Sequence, residues 1–155
     1  MLSRKKARDS VYKLIYEYLF LNKINEKSLA IATAPEMSKS DLEYIHAAYY
    51  GVVEKKDELL AQISEFTNKF PINRIFKLDL AALLLATYEM LYMDDIPMSV
   101  SISEAVELVK EYSTEKSNQY VNGILSSIYK KLNGEEKEEE SGERVEENGE
   151  RREES

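Results

Sequence analysis

Apolar positions recur at helical spacing along most of this chain. Between Arg4 and about Leu21, the residues Ala7, Val11, Leu14, Ile15, Tyr18 and Leu21 fall on one face of a predicted first helix. The pattern weakens from Asn22 to Lys39, where Leu29-Ala30-Ile31-Ala32 predicts a short helix and Ala34-Pro35-Glu36 a loop. A long stripe follows through Leu42, Ile45, Tyr49, Val52, Leu59, Ile63 and Phe66, with Ser40 or Asp41 as its cap and Phe70-Pro71 as its expected end. After a connector carrying Ile72, Ile75 and Phe76, the segment from about Lys77 to Met93 is apolar on nearly every side, the pattern of a helix in the middle of a bundle. Asp94-Asp95-Ile96-Pro97 reads as a turn. The next helix turns Ile102, Ala105, Val106, Val109 and Tyr112 inward and is interrupted at Ser113 and Thr114. The last runs from about Ser117 to Leu132 on Tyr120, Val121, Ile124, Leu125 and Ile128, with Asn133-Gly134 as its expected stop.

Composition agrees with an all-α fold, a compact helical bundle over residues 1–134. The chain has 155 residues, 43% of them hydrophobic, enough for one domain with a core, and no repeat of solenoid length. Five glycines and three prolines are too few to punctuate an all-β fold. Beyond Gly134, runs such as Glu135-Glu136-Lys137-Glu138-Glu139-Glu140 offer almost nothing apolar to offset chain entropy, so residues 135–155 are expected to form a disordered acidic tail. That tail holds 11 acidic against 4 basic residues, so it accounts for most of the net charge of −8 and the body is close to neutral.

Several kinds of chemistry are excluded or disfavoured. The absence of cysteine rules out disulfides, thiolate metal sites and thiol catalysis, and fits a reducing, cytoplasmic setting. Asp9, Lys13 and Glu17 interrupt what would be the apolar core of a signal peptide. The longest apolar run, Leu80 to Ala86, falls far short of the roughly 20 residues that span a bilayer, so no membrane association is expected. His46 is the only histidine and has no evident partner, and Asp94 with Asp95 supplies too few ligands for a metal. No phosphate-binding glycine loop or Ser-His-Asp series is present. We therefore expect no enzyme, catalytic residue, cofactor or metal.

Binding is the better class. Arg4, Lys5, Lys6 and Arg8 place four cations within about 1.5 helical turns, a density suited to phosphates. Cations at a helix N-terminus oppose its macrodipole, which favours a functional reading over a stabilising one. On these residues alone, a merely solvated, frayed N-terminus is at least as good a reading. The 11 tyrosines add stacking surfaces for unpaired bases, although most fall at core positions. Gly123 sits inside a helix, where glycine costs about 1 kcal/mol relative to alanine, and a helix crossing is the simplest reason for it.

Several segments carry a family resemblance in order and spacing. They are Arg4-Lys5-Lys6-Ala7-Arg8, Ala86-Thr87-Tyr88-Glu89-Met90-Leu91, Asp95-Ile96-Pro97, Ser103-Glu104-Ala105-Val106-Glu107-Leu108-Val109-Lys110, Thr114-Glu115-Lys116-Ser117 and Tyr120-Val121-Asn122-Gly123-Ile124-Leu125. Over residues 4–132 the chain resembles the NusB family of bacterial transcription antitermination factors. The resemblance implies two packed helical subdomains and no enzymatic activity. Its implied partners are single-stranded RNA of the boxA type, the ribosomal small-subunit protein NusE and the transcription elongation complex.

Carried over by position, the resemblance implies that Arg4, Lys5, Lys6 and Arg8 grip RNA phosphates and base edges. It implies a second RNA-facing segment at Lys116, Asn118, Gln119 and Tyr120, where Tyr120 replaces a phenylalanine and is expected to stack on a base. Tyr16 and Asp79 match positions used toward NusE, with core packing and a helix-start charge as their respective alternatives. The chain departs from the family at Ser113, where glycine is usual, and at Leu80 and Leu84, where basic residues are frequent. A competing reading is a helical protein-protein adaptor without RNA binding of its own. The acidic tail is expected to be solubilising, with folding back over the basic N-terminus as the alternative.

Overall fold

The computed structural model describes residues 2–33, 35–68 and 71–140, with side chains described between residues 4 and 134. Among these residues it contains six α-helices and one 3-10 turn: α1 (Leu2–Leu21), α2 (Glu26–Ala32), α3 (Lys39–Ser64), the turn Ile72–Arg74, α4 (Lys77–Tyr92), α5 (Met98–Tyr112) and α6 (Ser117–Glu140). No strand occurs among the described residues, and no described helix is long and apolar enough to cross a membrane.

Local chemistry sets several of the helix ends. At the end of α1, Asn22 adopts left-handed backbone (φ 57°), and its amide donates to the Tyr18 carbonyl at 2.8 Å. Asparagine tolerates this conformation better than most residues. Asn25 caps α2, its side chain accepting from the amides of Lys27 (3.0 Å) and Ser28 (3.3 Å). The cap of α3 is Ser38 rather than Ser40 or Asp41, with its hydroxyl accepting from the Asp41 amide at 3.1 Å. α3 also stops at Ser64, short of the expected Phe70-Pro71, because the chain tightens through Phe66 and Thr67 into left-handed Asn68 (φ 58°).

The far end of the chain corrects another expectation. α6 continues through Asn133-Gly134 to Glu140. No glycine has a positive φ among the described residues, so Gly134 does not form the left-handed cap that was expected to stop the helix. Residues 141–155 of the expected tail lie outside the described residues.

α4 occupies the centre, as its all-round apolar pattern predicts. It packs against α1 and α3 on one side and α5 and α6 on the other, with α2 lying on α1. Every residue from Asp79 to Thr87 is buried. Leu80 and Leu84 are core residues, each stabilising the fold by roughly 1.5–3 kcal/mol through burial. Basic side chains at these two positions would leave charge in the core of this chain.

Two of the glycines inside helices have opposite surroundings. Gly51 is buried beneath Tyr88, and a Cβ there would overlap the tyrosine ring. Gly51→Ala is expected to cost about 1–3 kcal/mol, as overpacking does, and to lower the thermal midpoint by several degrees. An unchanged midpoint would show that Tyr88 swings aside freely. A Cβ on Gly123 would meet nothing within 4 Å, so no helix crossing requires that glycine.

Candidate nucleic-acid interface

The phase of α1 sends its four cations in three directions. Arg4 and Arg8, four residues apart, lie on one face. Arg4 Nε donates to Asp41 Oδ1 at 2.9 Å and Nη2 to Ser40 Oγ at 3.0 Å, with the guanidinium 4.6 Å from the centre of the Tyr44 ring. Lys5 Nζ bonds both carboxylate oxygens of Glu104, at 2.9 and 3.1 Å. Lys6 is exposed and forms no hydrogen bond or ion pair among the described residues.

Arg8 departs from the surface role expected of it. Its Nε donates to Glu89 Oε2 at 2.9 Å and its Nη2 to Glu89 Oε1 at 3.3 Å, and the two residues are only 5% and 1% exposed. Glu89 also accepts from the hydroxyl of Tyr44 and, at 2.6 Å, from Ser101 Oγ. A buried carboxylate requires this compensation, and a guanidinium supplies it with two parallel bonds. Burial works against the Arg8 charge, but the Glu89 and Glu104 carboxylates outweigh it and raise the guanidinium pKa. Burial first, and then the Glu89 carboxylate, holds the Tyr44 hydroxyl well above its ordinary pKa, so it remains a donor.

The second expected segment lies at the other end of α4. Arg8 meets α4 near its last turn, at Glu89, whereas the start of α6 meets it at Asp79 in the first turn, about 15 Å away by helical rise. Asp79 is 4% exposed and accepts from Ser113 Oγ at 2.7 Å and Ser117 Oγ at 2.9 Å. It clasps the α5–α6 connection from inside and is not displayed to a partner. Ser113 has φ −118°, outside the left-handed region that favours glycine, so the departure from glycine is accommodated and adds a bond to Asp79.

Around this clasp, Lys116 and Gln119 are exposed, while Asn118 and Tyr120 are half-buried. Burial, and next to it Asp79, raises the Tyr120 hydroxyl pKa. The two segments therefore sit at opposite ends of α4. On the α1–α5 surface Tyr112 donates to Asp9 at 2.7 Å, and Lys5 and Lys110 lie beside Glu104, Glu107 and Glu111.

Tyr16 is half-buried on α1 and meets Phe20 edge-on at 5.0 Å. Phe20 is 60% exposed and lies beneath Lys77 Nζ at 5.3 Å from its ring centre. Sequence reasoning passed over Phe20, although an aromatic outside the apolar stripe and four residues after Tyr16 is a readable signal. The pairing of Arg8 with Glu89 was missed as well; the available sign was Glu89 itself, the one carboxylate of this most apolar helix beyond its first turn. Among the described residues, no group of three or more His, Asp or Glu side chains is placed to hold a metal.

Comparison with known proteins places the chain in a family. Residues 5–130 match the family model described as NusB family. Transcription antitermination protein NusB of Ruminiclostridium cellulolyticum is 38% identical over 130 residues, covering 83% of this chain and 90% of the relative. T. maritima NusB superimposes with a TM-score of 0.76 at 34% identity, over 81% of this chain and 89% of that structure. A crystal structure of antitermination factors NusB and NusE in complex with dsRNA matches with a TM-score of 0.74 at 26% identity, over 84% of this chain and 98% of that one.

Proposed function

Because the chain belongs to the NusB family of transcription antitermination proteins, we propose that it binds the boxA element of nascent ribosomal RNA, as a single strand, together with NusE in the transcription elongation complex. The observation that carries this reading is the placement of Arg4, Lys5 and Lys6 on one outer turn of α1, where their charges gain nothing from the helix dipole. The solved complex of NusB and NusE with dsRNA supports RNA and NusE as partners for this fold.

In this reading Lys6 meets a phosphate directly, while Arg4 and Lys5 exchange Asp41 and Glu104 for phosphate oxygens. The exchange is affordable for Lys5, whose exposed pair is worth about 0–1 kcal/mol, and released counterions drive it. Arg8 is a positioning residue that locks α1 to α4 through Glu89. Lys116 contacts phosphate, Asn118 and Gln119 reach base edges, and Tyr120 stacks on a base. Tyr16, extended by Phe20, meets NusE, and Asp79 acts indirectly by fixing the start of α6.

Fluorescence anisotropy with a labelled boxA RNA and a scrambled RNA, with and without NusE, tests the reading. Preference for boxA that increases with NusE is expected. Equal affinity for the two RNAs contradicts it, and NusE binding without any RNA binding would favour the adaptor reading. Glu104→Gln is expected to raise RNA affinity roughly two- to fivefold, because it removes the carboxylate that competes for Lys5. A fall in affinity would instead mean that Glu104 aims Lys5.

A further inference from the structure

Phe76 stands where a helix usually places a polar cap. It immediately precedes α4, makes no side-chain cap hydrogen bond, and leaves 59% of its surface exposed. Serine, threonine, aspartate or asparagine at that position would satisfy the first free amides of the helix. A large aromatic there is poorly explained by folding.

Its surroundings suggest what it does. Phe76 and Tyr120 line one cavity of about 280 Å³, with Ile75 behind them and Arg74 and Lys116 also in the lining. Arg74 and Lys116 are exposed and form no ion pair or side-chain hydrogen bond among the described residues, unlike Arg4, Lys5 and Arg8, which are all paired. The one carboxylate in the lining, Asp79, is occupied by Ser113 and Ser117. The volume lies just under the roughly 300 Å³ at which pockets for drug-sized ligands begin. Two aromatic residues, an apolar wall and two uncommitted cations are the chemistry that takes an unpaired base and its flanking phosphates.

We propose that Arg74 and Phe76 complete a nucleotide-binding pocket with Tyr120 and Lys116, holding one unpaired base of a bound RNA strand against the aromatic residues and its phosphates against the cations. The proposal rests on the RNA reading and adds two residues, from the turn before α4 and the cap of α4, to the α6 segment. A protein side chain is the competing occupant, but an apolar side chain would leave both cations without a counterpart.

The test uses the full chain, with and without NusE, and a boxA-type RNA carrying 2-aminopurine at one position in turn. Quenching of the fluorophore at one position is expected with the natural chain, and its loss with Phe76→Ala. Phe76→Ala is expected to weaken RNA binding about tenfold without changing its salt dependence, since stacking releases no counterions. Arg74→Ala is expected to make the salt slope shallower by about 0.7, one phosphate contact on a single strand. Phe76→Tyr should retain binding. Phe76→Ser should bind RNA as weakly as Phe76→Ala while its thermal midpoint is unchanged or higher, which separates the proposed role from a structural one. RNA binding by the natural chain that neither Phe76→Ala nor Arg74→Ala alters would overturn the pocket and leave the RNA reading intact. No RNA binding by the natural chain would overturn both. Weakened NusE binding with unchanged binding of RNA alone would assign the pocket to the protein partner and overturn the proposal.

Discussion

Arg8→Ala is expected to destabilise the fold by about 3–5 kcal/mol, the range for removing one partner of a buried ion pair. The magnitude follows from burial, since the side chains of Arg8 and Glu89 are 7% and 1% exposed. The variant would leave the Glu89 carboxylate in the core with only Tyr44 and Ser101 as donors. Glu89→Ala is expected to be comparably damaging because it strands the guanidinium. Replacing both, as Arg8→Met with Glu89→Leu, should recover much of the loss, because an apolar pair of similar volume leaves no charge uncompensated. Urea denaturation of the single and double variants measures the coupling directly. A loss below about 1 kcal/mol for Arg8→Ala would place the pair in the class of solvent-exposed bridges and contradict the anchoring role.

Replacing Arg4, Lys5 and Lys6 together by alanine is expected to weaken binding of boxA RNA about 100-fold at 0.1 M salt. Three lost phosphate contacts on a single strand, at about 0.7 each in the logarithmic salt slope, give that factor and make the slope shallower by about 2. Asp41 is buried and loses its Arg4 partner in this variant, so a second variant carrying only Lys5→Ala and Lys6→Ala separates binding from stability. It should lose about 25-fold with its thermal midpoint nearly unchanged. Unchanged affinity in both variants would remove the N-terminal turn from the RNA interface.

The helices and the central place of α4 were legible because they depend on local periodicity. A helix apolar on every side has to be surrounded, and the structure surrounds it. The helix ends were less legible. Ser38, Ser40 and Asp41 are all acceptable caps by type, and only the register of the chain selects Ser38. Asn133-Gly134 looks like a stop, yet glycine ends a helix only when its backbone turns left-handed, and here α6 continues.

The candidate site was legible as residue types but not as environments. Arg4, Lys5, Lys6 and Arg8 look alike in sequence, and helical phase makes Arg8 a core anchor while Lys6 faces solvent. The acids that oppose them, Asp41, Glu89 and Glu104, are far away along the chain and near only after folding. Asp79 carried the same ambiguity, and its two serine partners resolve it as an internal clasp. Leu80 and Leu84 raised a question about the central helix surface, which their burial answers.

On the reading proposed above, this chain holds RNA through the cations Arg4, Lys5 and Lys6 at the start of its first helix. Titration of labelled boxA RNA with the natural chain and NusE, repeated from 50 to 200 mM salt, tests it most directly. The predicted result is affinity that falls steeply with salt, together with a slope about 2 units shallower for the Arg4, Lys5 and Lys6 alanine variant under the same conditions. Affinity independent of salt, or identical slopes for the natural and variant chains, would contradict it.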